Sequence, residues 1–210
     1  MSAQTINPIV QVTGEGSMMV VPDQATIKVR VEHTGKEAIV VKRQNDQVVR
    51  DVLSFLDQAG IKAKHIMTDY IKLSKNYEYN TKTYNYAANQ AITIQIKDLS
   101  TYENVMNGLL SSGINRIDGI YFGSSEQEKL ESQARKKAMD HAKMKAQEYA
   151  SSLGQSIGKA LVISEQSQFS GPQPMGNYRM ASLESADAGP TMAPGELEIK
   201  VAIHVTFVLN

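Results

Sequence analysis

The sequence predicts an α+β protein with antiparallel or mixed β-sheets and about three helices. Apolar and polar residues alternate over 24–34 and again over 196–209, which is the period of a half-buried β-strand. Alanines recur at every fourth position within about 125–153, which is the period of one face of a long helix. Strands and helices that both carry one apolar face indicate sheets covered by helices.

The first two strands are predicted at 9–14 and 24–34. Apolar and β-branched residues begin at Ile9, and Gly14-Glu15-Gly16 is expected to end the first strand. Pro22-Asp23 is a turn signal before the second strand. The apolar residues predicted to face the core from the second strand are Ala25, Ile27, Val29 and Val31.

A helix over 36–59 and two further strands are predicted next. Gly60 follows the helical pattern, where a residue without Cβ adopts the left-handed conformation easily. The strands are placed at 61–78 and 84–97, with Asn80-Thr81-Lys82 as a hairpin tip between them. The broad apolar face of the helix consists of Val41, Val48, Val49, Val52, Leu53 and Leu56.

The middle of the chain predicts a short helix, a strand and the longest helix. The short helix lies near 101–111, with Asp98 or Ser100 as its cap, and the strand near 115–123. The long helix covers about 125–153, and its small side chains should let a sheet or another helix approach closely. The stripe predicted to face inward is Leu130, Ala134, Ala138, Ala142, Ala146, Ala150 and Leu153.

The C-terminal part predicts a strand at 159–165, a long loop at 167–195 and a strand at 196–209. The loop contains four of the six prolines. A loop of this length is uncommon inside a compact domain. Two interpretations stay open: a disordered loop that extends from the domain, or an arm ordered against a neighbouring subunit. We predict one domain over 1–210 that carries this loop.

Composition excludes several classes of function. The 210 residues include 22 basic and 22 acidic side chains and no cysteine. A neutral chain offers no whole-molecule attraction for nucleic acid, so no nucleic-acid partner is expected. Without cysteine there is no thiol nucleophile and no thiolate-held metal. The histidines are isolated from one another, so no metal site and no cofactor are predicted: His33, His65, His141 and His204.

Motifs for catalysis are weak. The sequence has no G-x-S-x-G elbow, Walker loop or dinucleotide fingerprint, and Met19 occupies the place of the last glycine after Gly14-Glu15-Gly16. Glu15 and Asp23 are the candidates for paired-carboxylate chemistry, as in a hydrolase. Turns and helix caps use the same residue types, and we favour that structural interpretation. The protein is therefore predicted not to be an enzyme, and no catalytic residues are assigned.

Four tyrosines near the predicted hairpin tip are the candidate site: Tyr77, Tyr79, Tyr84 and Tyr86. They favour three interpretations, which are cross-strand pairs that stabilise the ribbon, a protein interface, and stacking on a ligand. A small-molecule ligand is not identified by the sequence. The ten methionines could be oxidised reversibly, but gap-filling in the core is the favoured interpretation.

Location is left open by the residues alone. No apolar stretch approaches the ~18 residues of a membrane span, so no transmembrane segment is expected. Ser2-Ala3 before Gln4 suits the end of a signal-peptide cleavage site, with Met1 as an added start. A cytosolic protein that begins at its natural Met1 is the alternative.

Several short sequence segments, by their order and spacing along the chain, resemble the SIMPL-domain family of bacterial cell-envelope proteins. They cover residues 9–209 and include Val12-Thr13-Gly14-Glu15-Gly16, Val21-Pro22-Asp23-Gln24-Ala25, Leu56 with Gly60-Ile61, and Tyr77 to Tyr86. Further matches are Gly119-Ile120 with Phe122, Asp140-His141-Ala142 with Lys145-Ala146, Leu153-Gly154 and Pro194-Gly195. Asn85 stands where relatives often have glycine.

The resemblance implies an α+β fold, export to the periplasm, and no established catalytic residues. It also implies relatives that assemble into a large channel-like oligomer or take part in defence against oxidative stress. We therefore expect a non-enzymatic periplasmic or secreted protein that acts through self-assembly as a homo-oligomer. The alternatives are a ligand-binding module that uses the tyrosine hairpin, and a carboxylate-dependent hydrolase.

Overall fold

A computed structural model describes residues 8–166, 173–174 and 194–210. The described residues form nine strands and three α-helices, with short 3₁₀ turns at Ala63–His65 and Leu99–Thr101. In chain order the elements are β1 (Ile9–Val20), β2 (Gln24–Gly35), α1 (Ala38–Gln58), β3 (Ile66–Thr68), β4 (Lys72–Glu78), β5 (Thr83–Ile96), α2 (Tyr102–Ser111), β6 (Arg116–Gly123), α3 (Gln127–Ser152), β7 (Ile157–Gln166), β8 (Gln173–Pro174) and β9 (Leu197–Leu209). The α+β class is confirmed.

The chain forms two compact units. One combines the N-terminal segment up to Pro22 with the segment from Glu126 to the C-terminus, and the other is Asp23–Ser125. The prediction of one domain over 1–210 stays a prediction. The predicted loop at 167–195 lies outside the described residues, except for β8 and residues 194–195.

The first unit, which we call the terminal unit, is an antiparallel sheet covered by α3. Its strand order is β1-β9-β7, and β8 also pairs with β9. Alternate residues of β9 face the helix, and Val201, Ile203 and Val205 are buried there. The predicted alanine stripe is confirmed, because Leu130, Ala134, Ala138, Ala142, Ala146 and Ala150 are the buried residues of α3.

Two predictions about the terminal unit are wrong. Leu153 was placed on the inward stripe, but it is 75% exposed because the helix ends at Ser152. The strand predicted at 9–14 continues to Val20, so Gly14 and Gly16 lie inside it. A Cβ atom on Gly14 would lie 2.0 Å from the Ala138 carbonyl oxygen, and one on Gly16 would lie 2.2 Å from the Ala134 oxygen. These glycines therefore allow close contact with α3 and do not end the strand.

The second unit, which we call the central unit, is an antiparallel sheet packed against α1 and α2. Its order is β3-β5-β2-β6, and β4 pairs with the other half of β5. The core contains the predicted face of β2 together with Ile92, Ile94 and Ile96 of β5. From α1 it receives Val49, Val52 and Leu56 as predicted, and the chain reverses at Gly60 with φ of 79°.

The strand predicted at 61–78 is wrong as a single element. The chain instead forms the 3₁₀ turn at Ala63–His65, then β3, then a break before β4. Both strands pair with β5, but at separate places: Thr68 lies opposite Ile92 and Lys72 lies opposite Asn89. Tyr70 falls in the break and is 99% exposed, so the apolar pattern of this stretch does not describe a continuous buried face.

Candidate functional site

The tyrosine cluster, defined as Tyr77, Tyr79, Tyr84 and Tyr86, lies at the tip of the β4–β5 hairpin. Tyr77 is directly opposite Tyr84 in the ladder. Their ring centroids are 5.1 Å apart with planes at 58°, and the rings of Tyr77 and Tyr79 meet edge to face at 5.1 Å and 86°. Such aromatic pairs stabilise a ribbon by about 0.5–1.5 kcal/mol each beyond their area burial. The cross-strand contact predicted from the spacing is therefore present.

Side-chain hydrogen bonds hold the hairpin tip. Glu78 Oε2 accepts hydrogen bonds from the Thr81 hydroxyl and the Asn85 amide, both at 3.0 Å. Lys82 has a φ of 52°, which is the left-handed region that L-residues other than glycine adopt at some cost. The Asn85 side chain thus has a definite role at the hairpin tip.

The cluster exposes much aromatic surface. Tyr77 is 42% exposed, Tyr79 84% and Tyr84 55%. The Lys75 ammonium lies 4.2 Å from the Tyr84 ring centroid and 6.0 Å from that of Tyr86, so a cation faces the rings. Tyrosine combines a large apolar ring with a hydroxyl, which suits a surface that contacts another protein or a ligand.

The two candidate carboxylates have structural partners. Glu15 forms an ion pair with Lys200 at 2.8 Å, and the hydrogen bond from Lys200 holds its pKa below the ordinary value. Asp23 accepts hydrogen bonds from the Ser125 hydroxyl and from the Ser125 N–H, the latter at 2.7 Å, and the Ser125 hydroxyl is the main cause of its lowered pKa. A general acid at neutral pH needs a raised pKa, and neither carboxyl group has one.

Replacing Asp23 with alanine should lower the free energy of unfolding by about 1 kcal/mol at pH 7, the usual net effect of losing a side-chain hydrogen bond. The pKa of Asp23 is lowered in the folded state, so its contribution is present above the unfolded pKa of about 3.9 and is lost as the pH falls through the folded value. Urea unfolding of the wild type and of Asp23→Ala should therefore show a difference in the free energy of unfolding at pH 7 that disappears in acid. A difference that does not change with pH would contradict this account.

Three of the four histidines make separate local contacts, whereas the Nδ1 atom of His33 is buried and has no hydrogen-bond partner. The Nδ1 atom of His204 lies 2.7 Å from the Thr13 hydroxyl, and that of His141 lies 3.1 Å from both the N–H and the carbonyl oxygen of Glu15. The His65 Nδ1 atom is 3.4 Å from the Gln95 side chain. Within the described residues, no group of three His, Asp or Glu side chains could hold a metal ion.

An open groove of about 390 Å³ lies on the terminal unit, beside the His204–Thr13 contact. It follows the β1–β9 pair, on the face that carries the polar side chains of both strands. The Nε2 atom of His204 is buried and has no hydrogen-bond partner. The groove is lined by Gln11, Val12, Thr13, His204, Val205 and Thr206.

Two features of the structure were not predicted from the sequence. Asn45 of α1 is fully buried, its Oδ1 atom has no partner, and its Nδ2 atom lies 3.4 Å from the Gln90 side chain. On α3, Lys137, His141 and Lys145 contact the backbone of β1. The spacing of four residues between Lys137, His141 and Lys145 could have shown that they lie on one side of α3. The sequence around Asn45 gives little indication that this residue is buried.

The fold and these surfaces define a two-unit α+β protein with an exposed aromatic hairpin. The chain belongs to the SIMPL family, described as a protein of unknown function (DUF541), whose model matches residues 10–207. Within the part of the chain that the structure describes, no helix is both long and apolar enough to cross a membrane.

Three relatives illustrate the range of the similarity. Uncharacterized protein YggE of Escherichia coli K12 is 25% identical over 206 residues, covering 97% of this chain and 84% of its own. The 26 kDa periplasmic immunogenic protein of Brucella melitensis is 26% identical over 211 residues, covering 96% and 84%. The human interleukin-1 receptor-associated kinase 1-binding protein 1 is 29% identical over 168 residues, covering 78% and 62%.

Proposed function

We propose that this protein is a non-enzymatic periplasmic protein that acts by self-assembly, with the tyrosine cluster as a contact surface between copies. The observation that carries the proposal is the exposure of Tyr77, Tyr79 and Tyr84 at the tip of one hairpin. The rings contact one another, so they form one continuous surface and not scattered apolar residues.

The energetics favour a protein partner for this surface. Tyrosine is enriched among the residues that dominate binding energy at interfaces. The hairpin ladder and the hydrogen bonds to Glu78 hold the rings in place before binding, which limits the conformational entropy lost on association. Equal numbers of acidic and basic side chains leave little long-range repulsion between copies.

The periplasmic location in this proposal is supported by the relative from Brucella melitensis, whose name calls it periplasmic. The absence of cysteine from the chain is compatible with that compartment. We propose that any role in defence against oxidative stress is indirect. Direct scavenging would depend on methionine sulfur, since the chain has no thiol.

The non-enzymatic part of the proposal is supported by the two candidate carboxylates. Glu15 is paired with Lys200, and Asp23 accepts hydrogen bonds from Ser125. The lowered pKa values of both groups favour the ionised form, so neither carries the proton that a general acid must donate at neutral pH.

The test is the mass in solution of the wild-type protein and of a variant with Tyr77→Ser and Tyr79→Ser. We expect light scattering to give a wild-type mass well above the 23.1 kDa of one chain. The double variant should associate at least about tenfold more weakly, because it loses two aromatic contacts at the centre of the proposed surface. Its far-UV circular dichroism should be unchanged, since both rings are exposed.

The matched control is Tyr149→Ser, which removes a similarly exposed tyrosine from α3. The control should assemble like the wild type. If the wild type is a monomer at tens of micromolar, or if the double variant assembles as the wild type does, the proposal is wrong.

A second candidate function is a ligand-binding module. The specific observation in its favour is the groove beside Thr13 and His204, where the buried Nε2 atom of His204 has no partner. The tyrosine cluster is the alternative binding surface, with ring stacking on a ligand. This candidate becomes the leading one if the wild type is strictly monomeric.

A further inference from the structure

β1 is an edge strand of the terminal unit. Within the described residues it pairs with β9 on one side and with no strand on the other. The backbone N–H and C=O groups of such a strand point outward at every second residue, where a strand of another molecule can pair with them. Because β1 is twelve residues long, an open edge here would be a site of aggregation.

Three side chains of α3 reach outward backbone groups of β1. The three contacts are those of the Lys137 Nζ atom with the Ser17 carbonyl oxygen at 3.1 Å, of the His141 Nδ1 atom with the Glu15 N–H at 3.1 Å, and of the Lys145 Nζ atom with the Thr13 carbonyl oxygen at 2.9 Å. The imidazole Nδ1 atom is also 3.1 Å from the Glu15 carbonyl oxygen, so both backbone groups of that residue face it. The residues contacted are alternate members of the strand, so all three contacts fall on the same side of it.

The contacts repeat because the helix and the strand have matching periods. Four residues of an α-helix rise by about 6 Å, and two residues of a strand rise by about 6.8 Å. Gly14 and Gly16 lie beneath α3, where a Cβ atom would be only 2.0 and 2.2 Å from carbonyl oxygens of the helix. The helix is therefore close enough for side chains next to its buried stripe to reach past the strand to its outer edge.

We propose that Lys137, His141 and Lys145 form a clasp that keeps the edge of β1 from pairing with a strand of another molecule. An incoming strand must present N–H groups to the Thr13 and Ser17 carbonyl oxygens, to which the two ammonium groups already donate. The clasp belongs to the same chain as the edge, so it competes at a high effective concentration. An incoming strand would also bring its N–H donors against two cations, which opposes pairing.

The test removes the clasp from a protein that already lacks the tyrosine contact, so that the two proposals are separated. The background protein carries Tyr77→Ser and Tyr79→Ser, and the clasp variant adds Lys137→Ala, His141→Ala and Lys145→Ala. Alanine favours the helix, so α3 should stay folded. We expect thioflavin T fluorescence of the clasp variant to rise at least about tenfold over that of the background, because opened edges pair between molecules. The mass measured by light scattering should rise with it.

The matched control is Lys136→Ala with Lys143→Ala in the same background. Both lysines are exposed on α3, and their loss changes the formal charge as much as loss of the clasp does when its histidine is neutral. This control should associate no more than the background protein. Lys137→Arg with Lys145→Arg keeps N–H donors at both ends of the clasp and should behave in the same way. If circular dichroism shows that the triple replacement unfolds the protein, Lys145→Ala alone takes its place in the comparison.

Amide hydrogen exchange, followed by NMR, tests the contact itself in the background protein. His141→Ala alone should speed exchange of the Glu15 amide by about threefold to tenfold, the range that corresponds to one hydrogen bond. The Gly14 and Gly16 amides point toward β9 and should exchange at unchanged rates. An unchanged exchange rate of the Glu15 amide, or a clasp variant that associates no more than the lysine control, overturns the proposal.

Discussion

Replacing Ala142 with leucine lowers the free energy of unfolding by at least about 1–3 kcal/mol, because the site has no room for a larger side chain. Ala142 is fully buried against β1. A Cβ atom placed on Gly14 would already lie 2.7 Å from the Ala142 Cβ atom and 2.6 Å from its backbone nitrogen. A leucine adds three carbon atoms to that contact, so the helix and strand must separate or the side chain must adopt a strained rotamer.

Urea unfolding measures this effect, and Lys143→Leu is the matched control. Lys143 is the next residue of α3 and is exposed, so the same new side chain should change stability little there. Gly14→Ala should destabilise for the reciprocal reason, since the clash falls on the backbone of α3. An unchanged unfolding midpoint for Ala142→Leu would show that this face is not closely packed.

Replacing Asn45 with aspartate should lower the free energy of unfolding by about 3–5 kcal/mol at pH 7, because it buries a charge without a partner. The Oδ1 atom of Asn45 already lacks a hydrogen-bond partner, and the residue is fully buried in the central unit. Burial would raise the pKa of the new carboxyl group above the unfolded value of about 3.9. The penalty should therefore be absent below about pH 4 and grow as the pH rises toward 7.

The control for this prediction is Asn107→Asp, the same chemical change at an exposed position of α2. It should be nearly neutral across the same pH range. Thermal or urea unfolding of both variants at pH 4 and pH 7 separates the burial effect from a general effect of charge. If Asn45→Asp is as stable as the wild type at pH 7, then water or a side chain must reach this position.

The strands and helices with one clear apolar period were predictable from the sequence. Alternation fixed which residues of β2 and β9 face the core, and the repeat of four identified the buried alanines of α3. Local signals placed the reversal at Gly60, because a left-handed backbone there favours glycine. That tyrosines would meet across the ladder was expected from their places on either side of the hairpin tip, whereas the loop at 79–82, one residue longer than the predicted tip, sets Tyr77 opposite Tyr84.

Other features depend on contacts between segments far apart in the chain. Gly14 and Gly16 look like a strand end in isolation, and only the close approach of α3 shows that they continue β1. The burial of Asn45 depends on how α1 lies on β5. The roles of Glu15 and Asp23 were likewise decided by Lys200 and Ser125, which are more than 100 positions away.

The sequence by itself determined the α+β class, the apolar faces of the regular strands and helices, and the gathering of tyrosines near one hairpin tip. These depend on local periodicity and on turn geometry, which neighbouring residues control. Only the tertiary structure decided that the chain forms two compact units and that side chains of α3 contact backbone groups along the edge of β1. Backbone groups at a sheet edge are the same in every sequence, so whether they are free depends on what packs beside them.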